Sequence, residues 1–250
     1  MQNVSRNSEW FKTWFDSPYY HKLYKDRNDL EAQAFIKNLL SKINPPKQAK
    51  ILDLACGRGR HSRFLNSLGF NVTGADLSRS SIEWAKKYEN ESLHFIVHDM
   101  RNVIVGAKFN CIFNLFTSFG YFTDRKDNVN VLSSAFSMLE ESGCLVIDFL
   151  NVSKIVDSLI EKECKRVEGL DFSISRKIEN DMIIKEISFE DGGTNFRFSE
   201  KVQAFQLSDF KSMLAEAGFI IKGIFGDYSM NVFDEEKSDR LILICKKKTA

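Results

Sequence analysis

Proline is scarce: Pro18, Pro45 and Pro46 are the only three in 250 residues. No apolar run approaches the roughly 20 residues that cross a bilayer, so no membrane partner is expected. The opening Met1-Gln2-Asn3-Val4-Ser5-Arg6 is not followed by an apolar segment of the kind that makes a secretory signal. The five cysteines (Cys56, Cys111, Cys144, Cys164 and Cys245) form no C-x-x-C pair. An odd, scattered set without secretory context predicts free thiols in a reducing cytoplasm. Neither sign of charge dominates: the formal net charge is +1. Without a long basic tract there is no electrostatic footprint for nucleic acid, and Lys246-Lys247-Lys248 reads as a solvated end. His94 and His98 are four apart but lie in a strand-like segment, where they cannot share the face a helical metal pair needs, so no metal site is expected. Internal repeats and low-complexity segments are also absent.

What remains is an ordinary globular composition, 43% hydrophobic and 28% charged, with 22 phenylalanines that suit a well-filled core or an aromatic pocket. Aromatics from Trp10 to Tyr24 precede a helical pattern over Asp29–Ile43, which Pro45-Pro46 terminates. From Lys50 to about Leu150, strands and helices alternate. The strands are Lys50–Leu54, Asn71–Ala75, Leu93–Val97, Phe109–Phe113 and Cys144–Leu150. Ser78 and Asp124 are placed to cap helices, the second running to Glu141 before Gly143 breaks the chain. This alternation implies βαβ units and a parallel sheet. After a short helix (Val152–Ile160) the pattern becomes antiparallel: Cys164–Gly169, Phe172–Glu179, Ile183–Glu190 and Phe196–Phe205. Asn180-Asp181 and Asp191-Gly192-Gly193 supply the turns. Ser208 is expected to cap a further helix, and Phe219–Phe225 and Arg240–Lys246 close the chain as an edge pair.

The expected fold is α/β: a Rossmann-like, seven-stranded, mostly parallel sheet with an antiparallel last strand, an N-terminal helical lid and an antiparallel β insertion after strand five. The corresponding domains are a lid (1–46), a core (47–150 and 206–250) and an insertion (151–205), the last serving as substrate lid or dimer contact.

In such a sheet, ligands bind beyond the carboxyl ends of the strands. Asp53 ends the first strand and is followed by Ala55-Cys56-Gly57-Arg58-Gly59, a tight turn into a helix. Asp76 ends the second strand, 19 residues after Gly57, the spacing at which a carboxylate reaches two ribose hydroxyls. Asp99 follows the third strand. The dinucleotide fingerprint G-x-G-x-x-G fails, because Ser62 stands at the third position. Asp53 inside the turn would repel a pyrophosphate but suits a ligand carrying an ammonium. These two features argue against a nicotinamide-linked oxidoreductase.

Asp53-Leu54-Ala55-Cys56-Gly57-Arg58-Gly59 resembles motif I, D/E-x-x-x-G-x-G, of the class I S-adenosylmethionine-dependent methyltransferases. Ala75-Asp76-Leu77-Ser78, His98-Asp99-Met100-Arg101 and Cys111-Ile112-Phe113-Asn114-Leu115-Phe116 resemble that family's later strand ends. The resemblance implies S-adenosylmethionine as cofactor and a role for each residue. Asp53 and the backbone at Ala55, Cys56, Gly57 and Gly59 would hold the methionine moiety. Asp76 would bind the ribose with Leu77 against the adenine. Asp99 and Met100 would meet the adenine amine and ring edge, and Asn114 and Leu115 would lie near the sulfonium. Tyr24 resembles a tyrosine that relatives bring down from N-terminal helices onto the cofactor. Asp76→Ala is expected to weaken cofactor binding while leaving the fold intact.

No catalytic residue is assigned: methyl transfer to an amine needs little beyond alignment, and no convincing general base stands out. His21 is a weak candidate, and His61 reads as a cap or surface residue. The scarcity of proline now excludes the Pro-Pro-Tyr and Pro-Cys motifs of nucleic-acid methylating branches. The loop Phe116-Thr117-Ser118-Phe119-Gly120-Tyr121-Phe122 and the insertion resemble the small-molecule branch, notably sugar N,N-dimethyltransferases. Ser118 and Tyr121 are the polar acceptor candidates. The expected protein is a cytoplasmic enzyme, monomer or homodimer, methylating nitrogen or oxygen of a small molecule. A noncatalytic cofactor-binding protein, or an enzyme acting on protein or RNA, is the alternative.

Overall fold

A computed structural model describes residues 9–25 and 29–248; the first residues, on which the absence of a secretory signal was argued, lie outside them. The chain begins with two short helices, α1 (Trp10–Trp14) and α2 (Pro18–Leu23). Pro18 sits at the first helical position, where its missing N–H costs nothing, and Ser17 caps by accepting from the Tyr19 amide. Helix α3 (Asp29–Ile43) buries Ala32, Phe35, Ile36 and Leu39, a single stripe at 3.6-residue period. Leu30, which shares the apolar pattern, is 77% exposed and lies off that stripe.

The core then alternates: β1 (Lys50–Leu54), α4 (Arg60–Ser67), β2 (Asn71–Asp76), α5 (Arg79–Ala85), β3 (Leu93–Val97), β4 (Phe109–Asn114), α6 (Arg125–Met138) and β5 (Leu139–Leu150). Ser78 and Asp124 do cap α5 and α6, accepting from the Ser81 and Lys126 amides. After α7 (Val152–Ser158) come the insertion strands β6 (Lys162–Val167), β7 (Leu170–Glu179), β8 (Met182–Asp191) and β9 (Thr194–Gln203). The chain ends with α8 (Leu207–Glu216), β10 (Phe219–Phe225) and β11 (Arg240–Lys247). The main sheet has the order β10-β11-β5-β4-β1-β2-β3, and the insertion forms a separate antiparallel sheet, β6-β7-β8-β9. Within the main sheet β11 alone runs against its neighbours, between β5 and β10. Connections diverge between β1 and β4, so the carboxyl ends of these strands open a crevice. Among the described residues, no helix is long and apolar enough to cross a membrane.

Of the boundaries that differ from the sequence reading, three have a clear physical reason. Helix α6 stops at Met138, and Leu139 is fully buried as the first residue of β5, paired with Phe109. The ladder then skips from Phe109–Leu139 to Cys111–Cys144, so Glu140 to Gly143 bulge outward rather than extending the helix. A Cβ on Gly143 would lie 2.9 Å from the Glu140 carbonyl oxygen, so glycine is what permits the bulge. The first insertion hairpin turns at Glu168-Gly169, both at positive φ, which brings β7 forward to Leu170. Gln206, not Ser208, is the N-cap of α8, its amide donating to the Asp209 carboxylate at 2.8 Å.

The lid is fixed at two ends. Asp16, between α1 and α2, accepts from the Ser78 hydroxyl (2.7 Å) and the Ser80 amide (2.9 Å) at the start of α5. At the other end Tyr19 donates to Asp191 (2.9 Å), and the fully buried Trp14 packs on Phe198 with centroids 4.6 Å apart. Lid and insertion thus meet over the crevice.

Candidate active site

Beneath the lid lies a cavity of about 900 Å³. Its floor is the turn after β1. The Ala55 and Cys56 amides both donate to the Ala75 carbonyl (2.7 and 3.1 Å), pinning the turn to β2. Ala55, Gly57 and Gly59 all take positive φ. The two glycines serve different ends. A Cβ on Gly57 would meet nothing within 4 Å, so this position faces open space and leaves room for a ligand beside the backbone. A Cβ on Gly59 would fall 2.4 Å from the Phe95 ring, so its absence serves helix–sheet packing. Gly59 is not among the cavity-lining residues. Gly59→Ala is expected to cost about 2–4 kcal/mol through overpacking and left-handed strain, measured as a lowered thermal midpoint.

Asp53 and Asp76 stand at opposite sides of the turn. Asp53 is 2% exposed and accepts from the Ser62 hydroxyl at 2.5 Å. Ser62, the residue that breaks the dinucleotide fingerprint, therefore serves to orient an acid. Burial pushes the Asp53 carboxyl up to about 6, against the opposing pull of Ser62. Asp76 accepts from the Gly57 amide (2.7 Å) on one oxygen and from the Ser78 amide (2.8 Å) on the other. Burial raises its pKa too, with these amides pulling the other way. A carboxylate has about four acceptor positions, so each oxygen keeps capacity for a ligand hydroxyl. Asp99 is chelated by Arg101, whose Nη2 approaches to 2.6 Å. Burial raises the Asp99 pKa, but the guanidinium outweighs it and the net shift is downward.

Of the other residues singled out in the sequence, Tyr24, Ala55, Cys56, Leu77, Met100, Leu115, Ser118 and Tyr121 line the same cavity. Asn114 does not: it is 2% exposed and donates to the Leu54 carbonyl at 3.2 Å, bracing β4 against β1 from within. Ser118 and Tyr121 donate to the Leu115 and Thr117 carbonyls, at 2.8 and 2.7 Å. The Tyr121 ring lies edge-on to Trp10 at 5.4 Å, so it belongs to the aromatic roof as much as to the polar wall. His61 corrects its sequence reading. It neither caps α4, whose N-cap is Gly59, nor lies on the surface. It is 9% exposed and stacked on Phe116 at 4.8 Å in the cavity wall.

Two groups of residues in or behind the cavity wall escaped sequence reasoning. Asp148, fully buried on β5, holds Arg240 of β11 at 2.7 Å and accepts from the Phe116 amide at 2.8 Å. Arg240 also donates to the Thr117 hydroxyl at 2.9 Å. This fixes Phe116 and Thr117, consecutive non-glycine residues at positive φ, beyond the carboxyl end of β4. The available signal was an acid inside the apolar run Leu145–Leu150. The second group, Arg176, Lys185 and Glu200, comes from the insertion. Each is a charged residue at an inward alternate position of its strand, a pattern visible to a period-2 reading.

The known proteins that the chain resembles are methyltransferases. The family signature described as a methyltransferase domain matches residues 51–143. The chain is 27% identical over 237 residues to a glycine/sarcosine N-methyltransferase of Aphanothece halophytica, covering 88% of this chain and 83% of that protein. It is 28% identical over 131 residues to the dTDP-3-amino-3,4,6-trideoxy-alpha-D-glucopyranose N,N-dimethyltransferase of Streptomyces venezuelae, covering 52% and 54%. The crystal structure of an S-adenosylmethionine-dependent methyltransferase from Clostridium acetobutylicum superposes with a TM-score of 0.79 at 22% identity, covering 92% of this chain and 97% of that one. Residues 51–143 are a methyltransferase domain, and the protein is an S-adenosylmethionine-dependent methyltransferase with the class I, Rossmann-like fold.

Proposed function

We propose that the protein transfers a methyl group from S-adenosylmethionine to nitrogen or oxygen of a small-molecule acceptor. The observation that carries this is the cavity. It extends from the core strand ends, where Asp53, Asp76 and Asp99 lie, to a separate wall of lid and insertion residues. Its volume of about 900 Å³ is in the range of small-molecule sites. Two relatives support the acceptor class, since their names give glycine, sarcosine and an amino sugar as what they methylate.

The donor set fits the cofactor. Asp53, held unfavourably in a buried position, gains a partner in an ammonium. Asp76 offers two oxygens to vicinal hydroxyls, and the buried Arg58 Nε in the cavity wall has no hydrogen-bond partner among the described residues. When bound, the cofactor supplies an activated methyl on a sulfonium. The chain's own residues orient the two reactants and exclude water, the roof of Trp10, Phe11, Phe15 and Tyr121 being apolar. Asp99, already paired with Arg101, presents its remaining acceptor capacity toward an adenine amine. Leu77 and Met100 supply the apolar contacts of that pocket, and Tyr24 reaches in from the lid.

Screening amines, amino sugars and small phenols for formation of S-adenosylhomocysteine tests the acceptor class. Turnover confined to protein or RNA would overturn it.

Asp53 adds a pH prediction. With its pKa raised to about 6, the carboxyl becomes neutral as pH falls through that value and loses its attraction for an ammonium. Cofactor affinity should therefore drop below about pH 6, and Asp53→Asn should bind weakly with little pH dependence. Stability has the opposite sign. A carboxyl whose folded pKa is raised favours the fold at low pH, and that contribution is lost as pH rises through about 6. At neutral pH Asp53→Asn should thus stabilise the free enzyme, by on the order of 3 kcal/mol at most. Melting both proteins at pH 5 and pH 7.5 should show the larger gap at the higher pH, with about half of it left at pH 5, where the unfolded carboxyl is already ionised.

A further inference from the structure

We infer that the insertion recognises an oxyanion, a carboxylate or phosphate group, on the methyl acceptor through Arg176 and Lys185. The inference rests on reading this cavity as the acceptor site and adds the chemical class that enters it.

In the insertion sheet Arg176 pairs directly with Lys185, and Lys185 pairs directly with Glu200. The three residues make one row across β7, β8 and β9, and all three line the cavity. On the same face the next row on one side is Ile174, Ile187 and Phe198, and on the other Ile178, Ile183 and Val202. A charged row between two apolar rows is not what packing alone selects for an inward face. Two cations directly opposite one another are destabilising in a sheet. Here that arrangement stands at the wall of a cavity, with side chains only 24% and 15% exposed for Arg176 and Lys185.

Among the described residues, two acids flank the pair, and Arg176 also donates to the Ile160 carbonyl at 3.3 Å. Glu163 binds Arg176 at 2.6 Å, but from the edge strand β6 and outside the cavity lining. Glu200 lies 3.8 Å from Lys185, at the limit of an ion pair. Its other oxygen is committed to two donors of the lid, the Trp14 indole N–H (2.7 Å) and the Tyr24 hydroxyl (2.6 Å). The Lys185 ammonium also donates to the Tyr24 hydroxyl. An anionic group entering beside Arg176 and Lys185 would offset the like-charge contact and gain charge-assisted hydrogen bonds. A guanidinium beside an ammonium suits an oxyanion, because the first offers a planar fork and the second a point charge.

Trp14, bonded to Glu200, makes tryptophan fluorescence the natural readout. The enzyme, saturated with S-adenosylhomocysteine so that the cofactor's own carboxylate site is filled, is titrated with sodium acetate and with sodium phosphate. Sodium chloride at matched ionic strength is the reference. The expected result is a saturable change with at least one of the two anions beyond the chloride response; which one responds distinguishes carboxylate from phosphate. Arg176→Met and Lys185→Met should each raise the half-saturating concentration about tenfold or more, as expected for losing a hydrogen bond to a charged group. Arg176→Lys should retain most of the response, and Lys177→Met, on the opposite face, should leave it unchanged. No saturable response to either anion in the native enzyme would overturn the inference, as would a response that survives both methionine variants. Binding of S-adenosylhomocysteine is measured separately in each protein. Its failure would strike the methyltransferase reading, while the anion titrations, repeated without it, would still decide the role of the row.

Discussion

Asp76→Ala is expected to weaken S-adenosylmethionine binding by at least about 100-fold. Two hydrogen bonds from ribose hydroxyls to a carboxylate at about 1.5–3 kcal/mol each correspond to a factor of about 10²–10⁴ in affinity. The structure changes what else should follow. Because the carboxylate also accepts from the Gly57 and Ser78 amides, its removal releases both ends of the turn that floors the cavity. The sequence reading left the fold untouched by this substitution; the structure adds a lowered thermal midpoint, since two partly buried amides lose their acceptor. Calorimetric titration with the cofactor, beside a thermal melt, separates the two effects. Asp76→Asn, which keeps one acceptor oxygen, should recover part of the stability but little of the affinity. Unchanged affinity in the alanine variant would place the ribose elsewhere.

Asp148→Ala should be the most destabilising single change at the site, by about 3–5 kcal/mol, the cost of stranding one member of a buried ion pair. Arg240 would then sit among β5, β11 and Tyr228 without its counter-charge. For a chain of this size that loss corresponds to a midpoint lower by about 10 °C or more. Two further consequences separate it from an ordinary core defect. The Phe116 amide loses its acceptor, so the strained pair Phe116-Thr117 is free to relax, and turnover should fall more than cofactor affinity. Replacing both partners, Asp148→Leu with Arg240→Met, should recover much of the stability but not the turnover, because the loop remains unanchored. Equal recovery of both would show that Asp148 serves the fold alone.

The core was legible because its signals are local. Each strand of the parallel sheet is a short apolar run, and the caps at Ser78 and Asp124 act on amides two or three residues away. The acids Asp53, Asp76 and Asp99 could be placed together because strand ends in a parallel sheet converge by topology, without knowledge of side-chain packing. The errors arose where a long-range partner overrides the local pattern. Leu139 continues a helical periodicity, yet pairing with Phe109 makes it the start of a strand. His61 has the polarity of a surface residue, yet Phe116, reached only through the fold, stacks on it. Asn114 ends a strand pointing at the cavity, but its amide finds the Leu54 carbonyl first.

The sequence by itself determined the α/β class, the order of the elements, and a turn whose acid and glycines suit a methyl donor rather than a dinucleotide. Those properties depend on hydrophobic period, turn chemistry and spacing, all of which act over a few residues. Only the tertiary structure decided which further side chains share the cavity: Arg240, held by the buried Asp148, and the row Arg176, Lys185 and Glu200. The members of that row are separated by 9 and 15 residues and become neighbours through hairpin register alone. Register is set by turn geometry and by which face of the insertion is buried, so the charged row exists as a site only once β7, β8 and β9 have paired.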